Sequence, residues 1–266
     1  MGSDQNLAGR AGLRQAVLAL YDLLAELAPG WGDACRPGCA ICCTRAVTLT
    51  SLEAEILIAG VTRDQGPGFL AERLARVPAG PPADPGPSFN ALAALCRQGQ
   101  VEARRPPGTS AAVPGVCPFL AADRCQIYPW RPFACRCFAS QAVCRPGGAA
   151  LLPAVRITIH TIFLQVIEHL DQGGRWGRLV DLLPALLAGQ ADHPRLHPTA
   201  PIPGLFIPPA EADQVAPVVA AIMSRPVAGS GRTVAGLLRQ TRQRPTQPSL
   251  APGRAQGPPL QQTSTS

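Results

Sequence analysis

Apolar residues recur at three- and four-residue steps from Leu13 through Val17, Leu20 and Leu24 to Leu27. That is the spacing of one helix face, so a helix is predicted over residues 13–27, stopped by Pro29-Gly30. Val47-Thr48-Leu49 reads as a short extended segment. Thr50-Ser51-Leu52-Glu53 follows it as a capping box, in which the threonine hydroxyl accepts from the Glu53 amide and the glutamate reaches back. A helix from Ser51 to about Ala59 is expected. Further candidate helices are Phe89 to Ala103, broken by Arg105-Pro106-Pro107-Gly108, and Ala154 to Leu170, the most apolar of all. Trp176 to Leu187 is another, interrupted at Pro184. Glu211 to Met223 is the last, with Pro217 inside it as a kink point. No internal repeat is found.

Between these elements the chain is rich in Pro and Gly. Five prolines between Pro78 and Pro87 predict a loop or linker. Past Ala191 prolines become dense, and past Gln243 the composition is Pro, Gln, Ser and Thr, the signature of a chain that buries too little apolar surface to order itself. The expected organisation is an N-terminal helix over 1–34, a cysteine-rich domain with a helical extension over 35–190, and a Pro- and Arg-rich, largely disordered tail over 191–266. The expected fold class is mostly α, with helices flanking an irregular cysteine-rich core.

Charge narrows the choice of partner. The 266-residue chain carries a formal net charge of +7. Arg225, Arg232, Arg239, Arg242, Arg244 and Arg254 supply +6 of it with no acid after them. The remainder is near neutral, so no basic face for nucleic acid is expected on the folded part. Every basic residue is arginine, which a biased genome explains. The first ten residues are polar, with no basic start leading into an apolar run, so no export signal is expected. No apolar stretch reaches the length of a membrane span. With ten cysteines, this points to a reducing, cytoplasmic setting in which thiols serve metal or catalysis rather than disulfides.

The cysteines form two runs. Cys35, Cys39, Cys42 and Cys43 lie within nine residues, with Pro37 and Gly38 supplying a turn. A Cys-x2-Cys step lets two sulfurs grip one ion from a tight turn. The adjacent Cys42 and Cys43 do not readily reach the same ion, so one of them is expected to face the core or a second metal. The second run is Cys117, Cys125, Cys135, Cys137 and Cys144, separated by seven, nine, one and six residues. This is not the paired spacing of a zinc ribbon or finger. Irregular spacing and more than four thiols suit an iron–sulfur centre, or more than one metal, better than one closed zinc site. Cys96, alone in an apolar helix, is expected to be a small buried hydrophobe.

Taken together, the two runs and the segment between them resemble a known family. Cys39-Ala-Ile-Cys42-Cys43-Thr44, Val47-Thr48-Leu49-Thr50 with Glu53, Cys117-Pro118-Phe119-Leu120, and Cys125-x-Ile127-Tyr128-x2-Arg131-Pro132-x2-Cys135-Arg136 are similar to the CxxCxxCC zinc- or iron-chelating domain family, the YkgJ-like cysteine-cluster proteins. The likeness covers about residues 35–144. Three residues rather than two separate Cys35 from Cys39, and Cys137 and Cys144 lie outside the pattern. The resemblance implies a metal-chelating module, distantly related to flagellin lysine N-methylases. No glycine-rich nucleotide loop after a strand accompanies it.

The expected metal ligands are therefore Cys35, Cys39, Cys42, Cys43, Cys117, Cys125 and Cys135. The expected cofactor is an iron–sulfur cluster of the 4Fe–4S type, with Zn2+ as the alternative. Arg131 and Arg136 are candidates to donate to cluster sulfurs, or to a carboxylate such as Glu53 or Asp123. Tyr128 either joins that network or fills core. His160 and His169 stand nine apart, on opposite faces of one helix, and are expected in the core or at its boundary. His193 and His197 are expected to be solvated. Two functional readings stay open: a metal-chelating module that stabilises a protein partner or stores or delivers metal, or an iron–sulfur enzyme of redox or protein-modification chemistry.

Overall fold

The computed structural model describes residues 2–31, 33–36, 38–78, 85–100, 115–145, 150–190 and 192–242. The fold is mostly α. Helix α1 (Gly2–Leu27) runs into a 3-10 turn at Ala28–Trp31. Strand β1 (Thr48–Thr50) leads directly into α2 (Ser51–Gln65), then α3 (Phe69–Ala75) and α4 (Phe89–Arg97). The hairpin β2 (Leu120–Ala121) and β3 (Arg124–Cys125) is followed by a 3-10 turn at Tyr128–Trp130 and the short α5 (Phe133–Cys137). Next come α6 (Ala154–Leu170), β4 (Arg175–Arg178), α7 (Leu179–Leu187), β5 (His197–Pro198) and α8 (Ala212–Ser224). A hairpin of β6 (Pro226–Val227) and β7 (Arg232–Thr233) and helix α9 (Val234–Arg242) complete the described chain. No helix among the described residues is long and apolar enough to cross a membrane.

The predicted stripe of α1 is buried: Leu13, Val17, Leu20 and Leu24 are all under a tenth exposed. The capping box at Thr50 is present in both directions, but α2 continues six residues beyond the expected end, because Ile56, Leu57 and Val61 keep a buried face. Helix α4 is shorter than expected, ending at Arg97; residues 101–103 lie outside the described ones, as does most of the proline cluster, 79–84.

Helix α2 divides two cores. Leu52 and Ile56 join α1, α6, α8 and α9 on one side. Ala54, Leu57 and Val61 join β1, α3, α7, Phe119 and Ile127 on the other. Trp130 packs against both. It sits on Gly60 of α2, where an added Cβ would lie 2.1 Å from its ring, and its indole donates to Asp64 at 2.6 Å.

Two expectations are corrected here. Residues 175–178 are a strand rather than the start of a helix. Thr48↔Arg178, Leu49↔Gly177 and Thr50↔Trp176 pair β4 with β1, and Trp176↔His197 pairs it with β5. Two strands offering unpaired backbone override the helical reading, and the helix starts only at Leu179, continuing through Pro184. The tail expected to be disordered from residue 191 is built up to Arg242; residues 243–266 lie outside the described ones.

Buried polar side chains of α6 explain how so proline-rich a segment is held. Glu168 accepts from the amides of Asn90 and Ala200 at 2.9 and 2.8 Å. His169 accepts at Nδ1 from the Ile202 amide, 2.9 Å. Gln165 accepts from the Phe206 amide, 2.8 Å, and donates to the Gly204 carbonyl, 3.1 Å. Each buried backbone group thereby finds a partner without secondary structure. His160 and His169 are both buried, as expected. His193 and His197 are half-buried rather than solvated, and His197 lies 6.1 Å from the Trp176 ring.

Glu53 ties the halves together. Its buried carboxylate accepts from the Thr50 amide (3.0 Å), the Tyr21 hydroxyl (2.9 Å) and the Phe133 amide (2.8 Å). It thus joins α1, the start of α2 and the start of α5. Glu53→Ala leaves these buried donors without an acceptor and is expected to cost about 3 kcal/mol, read as a lowered urea midpoint at unchanged slope.

His160 gives a pH signature. Its ring packs on Trp31 at 5.5 Å, and Nε2 has no hydrogen-bond partner among the described residues. Burial, helped by Arg156, lowers its pKa from 6.5 to about 4. A depressed pKa gives stability that is present above 6.5 and lost as pH falls through 4. At pH 4 the loss is about 3 kcal/mol. His160→Gln is expected to remove that part of the acid sensitivity, measured by urea unfolding at pH 7 and pH 4.

Candidate metal centre

The first cysteine run is held as an irregular strap. Asp33 forms a two-pronged ion pair with the buried Arg156, 2.7 Å at its longer arm. The Ala34 amide donates to the Ser140 carbonyl at 2.7 Å. Turns then close from Cys39 N–H to Arg36 O (3.0 Å) and from Cys43 N–H to Ala40 O (2.9 Å). Gly38 takes a φ of 86°, which a residue without a side chain adopts freely; Pro37, read as part of this turn, lies outside the described residues.

The second run is brought to the first by backbone pairing. Cys117 N–H donates to Cys43 O at 3.0 Å, and Thr44 bridges Val116. The β2–β3 hairpin places Cys125 back beside Leu120. Phe133, held by Glu53, starts the short helix that carries Cys135.

One cavity of about 560 Å³ is lined by all seven expected cysteines: Cys35, Cys39, Cys42, Cys43, Cys117, Cys125 and Cys135. Within it, Cys43, Cys117, Cys125 and Cys135 form a quartet in which every pair interacts electrostatically. Burial pushes the thiols of Cys117, Cys125 and Cys135 up, most of all Cys135, where Cys117 and Cys125 add to the effect. Two backbone amides work against this. Phe119 N–H points at the Cys117 sulfur and Ile127 N–H at the Cys125 sulfur; such donors stabilise a thiolate. Cys43 differs, being lowered chiefly by a hydrogen bond with Cys42, whose own thiol that bond raises. Within the adjacent pair, Cys42 thus donates and Cys43 accepts. Neither enters the core. Among the described residues, no three His, Cys, Asp or Glu side chains converge closely enough to hold a single ion as they stand.

Arg131 was expected to donate to cluster sulfurs or to a carboxylate. It lines the cavity, and its charge lowers the pKa of Cys42, Cys125 and Cys135. Its Nε–H is buried with no hydrogen-bond partner among the described residues. Arg136 is a correction. It donates to the carbonyls of Arg131 (3.1 Å) and Pro129 (2.8 Å) and stacks over Tyr21 at 4.2 Å. The Glu53 oxygens are already taken by Tyr21, Thr50 and Phe133, so Arg136 braces the Cys135 helix instead of meeting sulfur. Tyr128 is also corrected. It lines the same cavity, but it is 57% exposed and carries the Arg131 guanidinium over its ring at 3.8 Å, so it meets the site through its ring and does not fill core.

Arg36, Arg45 and Arg124 line the same cavity and were not singled out from the sequence. Their signal was adjacency: Arg36 follows Cys35, Arg124 precedes Cys125, and Arg45 stands two residues after Cys43. Cys137 belongs to the core and Cys96 is half-buried in α4, both outside the cavity.

No family model, no curated protein and no solved structure gave a match to this chain.

The hairpin that aims Cys117 and Cys125 carries strain. Its two turn residues, Ala122 and Asp123, have φ of 46° and 56°, the conformation of a tight primed turn. Aspartate tolerates it; alanine pays for its Cβ with about 1 kcal/mol. Ala122→Gly is expected to stabilise the protein by about that amount, seen as a rise in melting temperature.

Proposed function

We propose that this chain is a thiolate metal-binding protein of the cysteine-cluster kind, holding an iron–sulfur cluster on Cys43, Cys117, Cys125 and Cys135. The observation that carries the reading is the quartet itself: four thiols from three separate segments line one cavity, each within electrostatic reach of the other three. Chance burial of thiols does not also supply amide donors at two of the sulfurs and an unpaired guanidinium N–H beside them. The resemblance of the same motifs to metal-chelating cysteine-cluster proteins points the same way.

The donor set fits the group. Four thiolates bring four negative charges, more than a dipositive centre offsets, and Arg131, with Arg36, Arg45 and Arg124 around the cavity, balances the excess. Seven thiols line the cavity at irregular sequence spacing, which suits a polynuclear cluster better than one closed zinc site. A bound cluster would supply electron-transfer capacity or rigid cross-linking of the three segments. The protein's part is to hold the sulfurs, to donate from Phe119 and Ile127, and to keep the inner thiols away from bulk water.

The test is anaerobic purification with elemental analysis and absorption spectroscopy. Wild type is expected to carry iron and sulfide and to show a broad visible charge-transfer band. Ser in place of Cys43, Cys117, Cys125 or Cys135 is expected to reduce bound iron several-fold, while Cys96→Ser and Cys137→Ala leave it unchanged. Zinc in a colourless wild type would replace the cluster by the single-ion alternative. Equal metal content in all six variants would remove the quartet as the site.

A further inference from the structure

Nine large apolar side chains are exposed among the described residues, and five of them gather around the thiol cavity. Tyr128 and Phe138 line that cavity. Ile41, Val116 and Val143 line a neighbouring one of about 730 Å³, which shares Cys35, Cys39 and Cys43 with it. Each of the five is at least 42% exposed. Single exposed apolar residues are ordinary, but a group of them around one opening marks an interaction surface. The backbone beneath them is held in place. Ile41 sits in the turn closed by Cys43 N–H to Ala40 O, 2.9 Å. Val116 bridges Thr44. The loop with Phe138 and Val143 is tied by Ala34 N–H to Ser140 O, 2.7 Å, and by the Ala142 amide to the Ser140 hydroxyl, 3.3 Å.

The charges beside this group are mostly of one sign. Arg36, Arg45, Arg124 and Arg131 line the thiol cavity, against the single acid Asp123. Four thiolates on a dipositive centre leave a surplus of two negative charges, which four guanidinium groups exceed. Arg36 and Arg124 are exposed, as is Arg145, next to Cys144. Asp33 is taken by Arg156.

We propose that this surface docks a protein partner that presents carboxylates around an apolar centre. The proposal names a partner for the metal centre and rests on that reading for what the partner does there: Cys42 lines the thiol cavity and is exposed, so a partner seated here lies directly against the centre. Charge selects this occupant over others. A second copy in a two-fold pair would set arginine against arginine. Residues 101–114, which lead into Gly115, carry Arg104 and Arg105 against Glu102, and residues 243–266 carry Arg244 and Arg254 with no acid, so both have the sign of the surface. Nucleic acid gains from stacking on aromatic rings and little from three aliphatic side chains.

The experiment titrates the full-length, anaerobically purified protein into three fluorescent probes and reads anisotropy, with iron assayed in every sample. The probes are a short peptide of Glu and Leu, the same peptide with Lys for Glu, and a single-stranded DNA oligomer. Wild type is expected to bind the acidic peptide at least about tenfold more tightly than the other two, and more weakly as salt rises. Val116→Ser with Val143→Ser is expected to weaken it several-fold, with iron content and circular dichroism unchanged. Arg145→Glu is expected to weaken it and to flatten the salt dependence. Equal affinity for the two peptides, tighter binding of the oligomer, or full affinity in both variants would overturn the proposal. So would a wild-type dimer, by light scattering, that becomes monomeric in the valine variant. The two readings fail separately. Iron without peptide discrimination overturns the docking surface alone; discrimination by a metal-free wild type supports the surface and removes the quartet.

Discussion

A carboxylate buried among three structural units cannot be left half-satisfied, and Glu53 is satisfied only when α1, the β1–α2 junction and the start of α5 are all in place. Burial raises its pKa, and the donors around it pull the other way. A group so enclosed is costly to misplace, so it acts as a register pin. The cysteines inherit their positions from that pin. The strap with Cys43 ends at β1, three residues before Glu53. Cys135 lies two residues after Phe133, whose amide Glu53 holds. Backbone pairing of Cys43 with Cys117 and the tight β2–β3 hairpin then bring in the other two thiols.

The electrostatics of the resulting cavity are unsettled in a useful way. Burial and mutual repulsion favour protonated thiols at Cys117, Cys125 and Cys135, while Arg131 and two amide donors favour thiolates. Without a cation the first side wins, and all three thiols are raised above the ordinary cysteine value. Such a site gains most from a positive centre, and that gain is coupled to proton release and to locking three chain segments together. The guanidinium groups lining the cavity belong to the same balance. They stand next to cysteines in sequence, and the structure brings them back beside cysteines in space.

Helix α6 shows a second use of buried polarity. Its apolar residues were readable as core, but Gln165, Glu168 and His169 serve as a template for the backbone of residues 200–206, where prolines forbid a ladder. A segment that composition marks as disordered is ordered because its amides find buried acceptors on another element. His169, which a metal-minded reading would test as a ligand, is spent on this task.

The sequence by itself determined the helices whose amphipathic period is long and whose caps are local: the α1 stripe, the Thr50–Glu53 box and the limits of α6. It also picked out the seven cysteines that line one cavity, because thiols and the turns that gather them are written in a few adjacent positions. Tertiary structure alone decided that residues 175–178 are a strand, that the proline-rich segment before Arg242 is ordered, that Arg136 stacks on Tyr21 while Arg131 lines the thiol cavity, and that Cys144 lines a neighbouring cavity with Cys35 and Cys39. Each of these depends on a partner far away in the chain, and the free energy of pairing a buried donor with a distant acceptor is not encoded in any window of neighbouring residues.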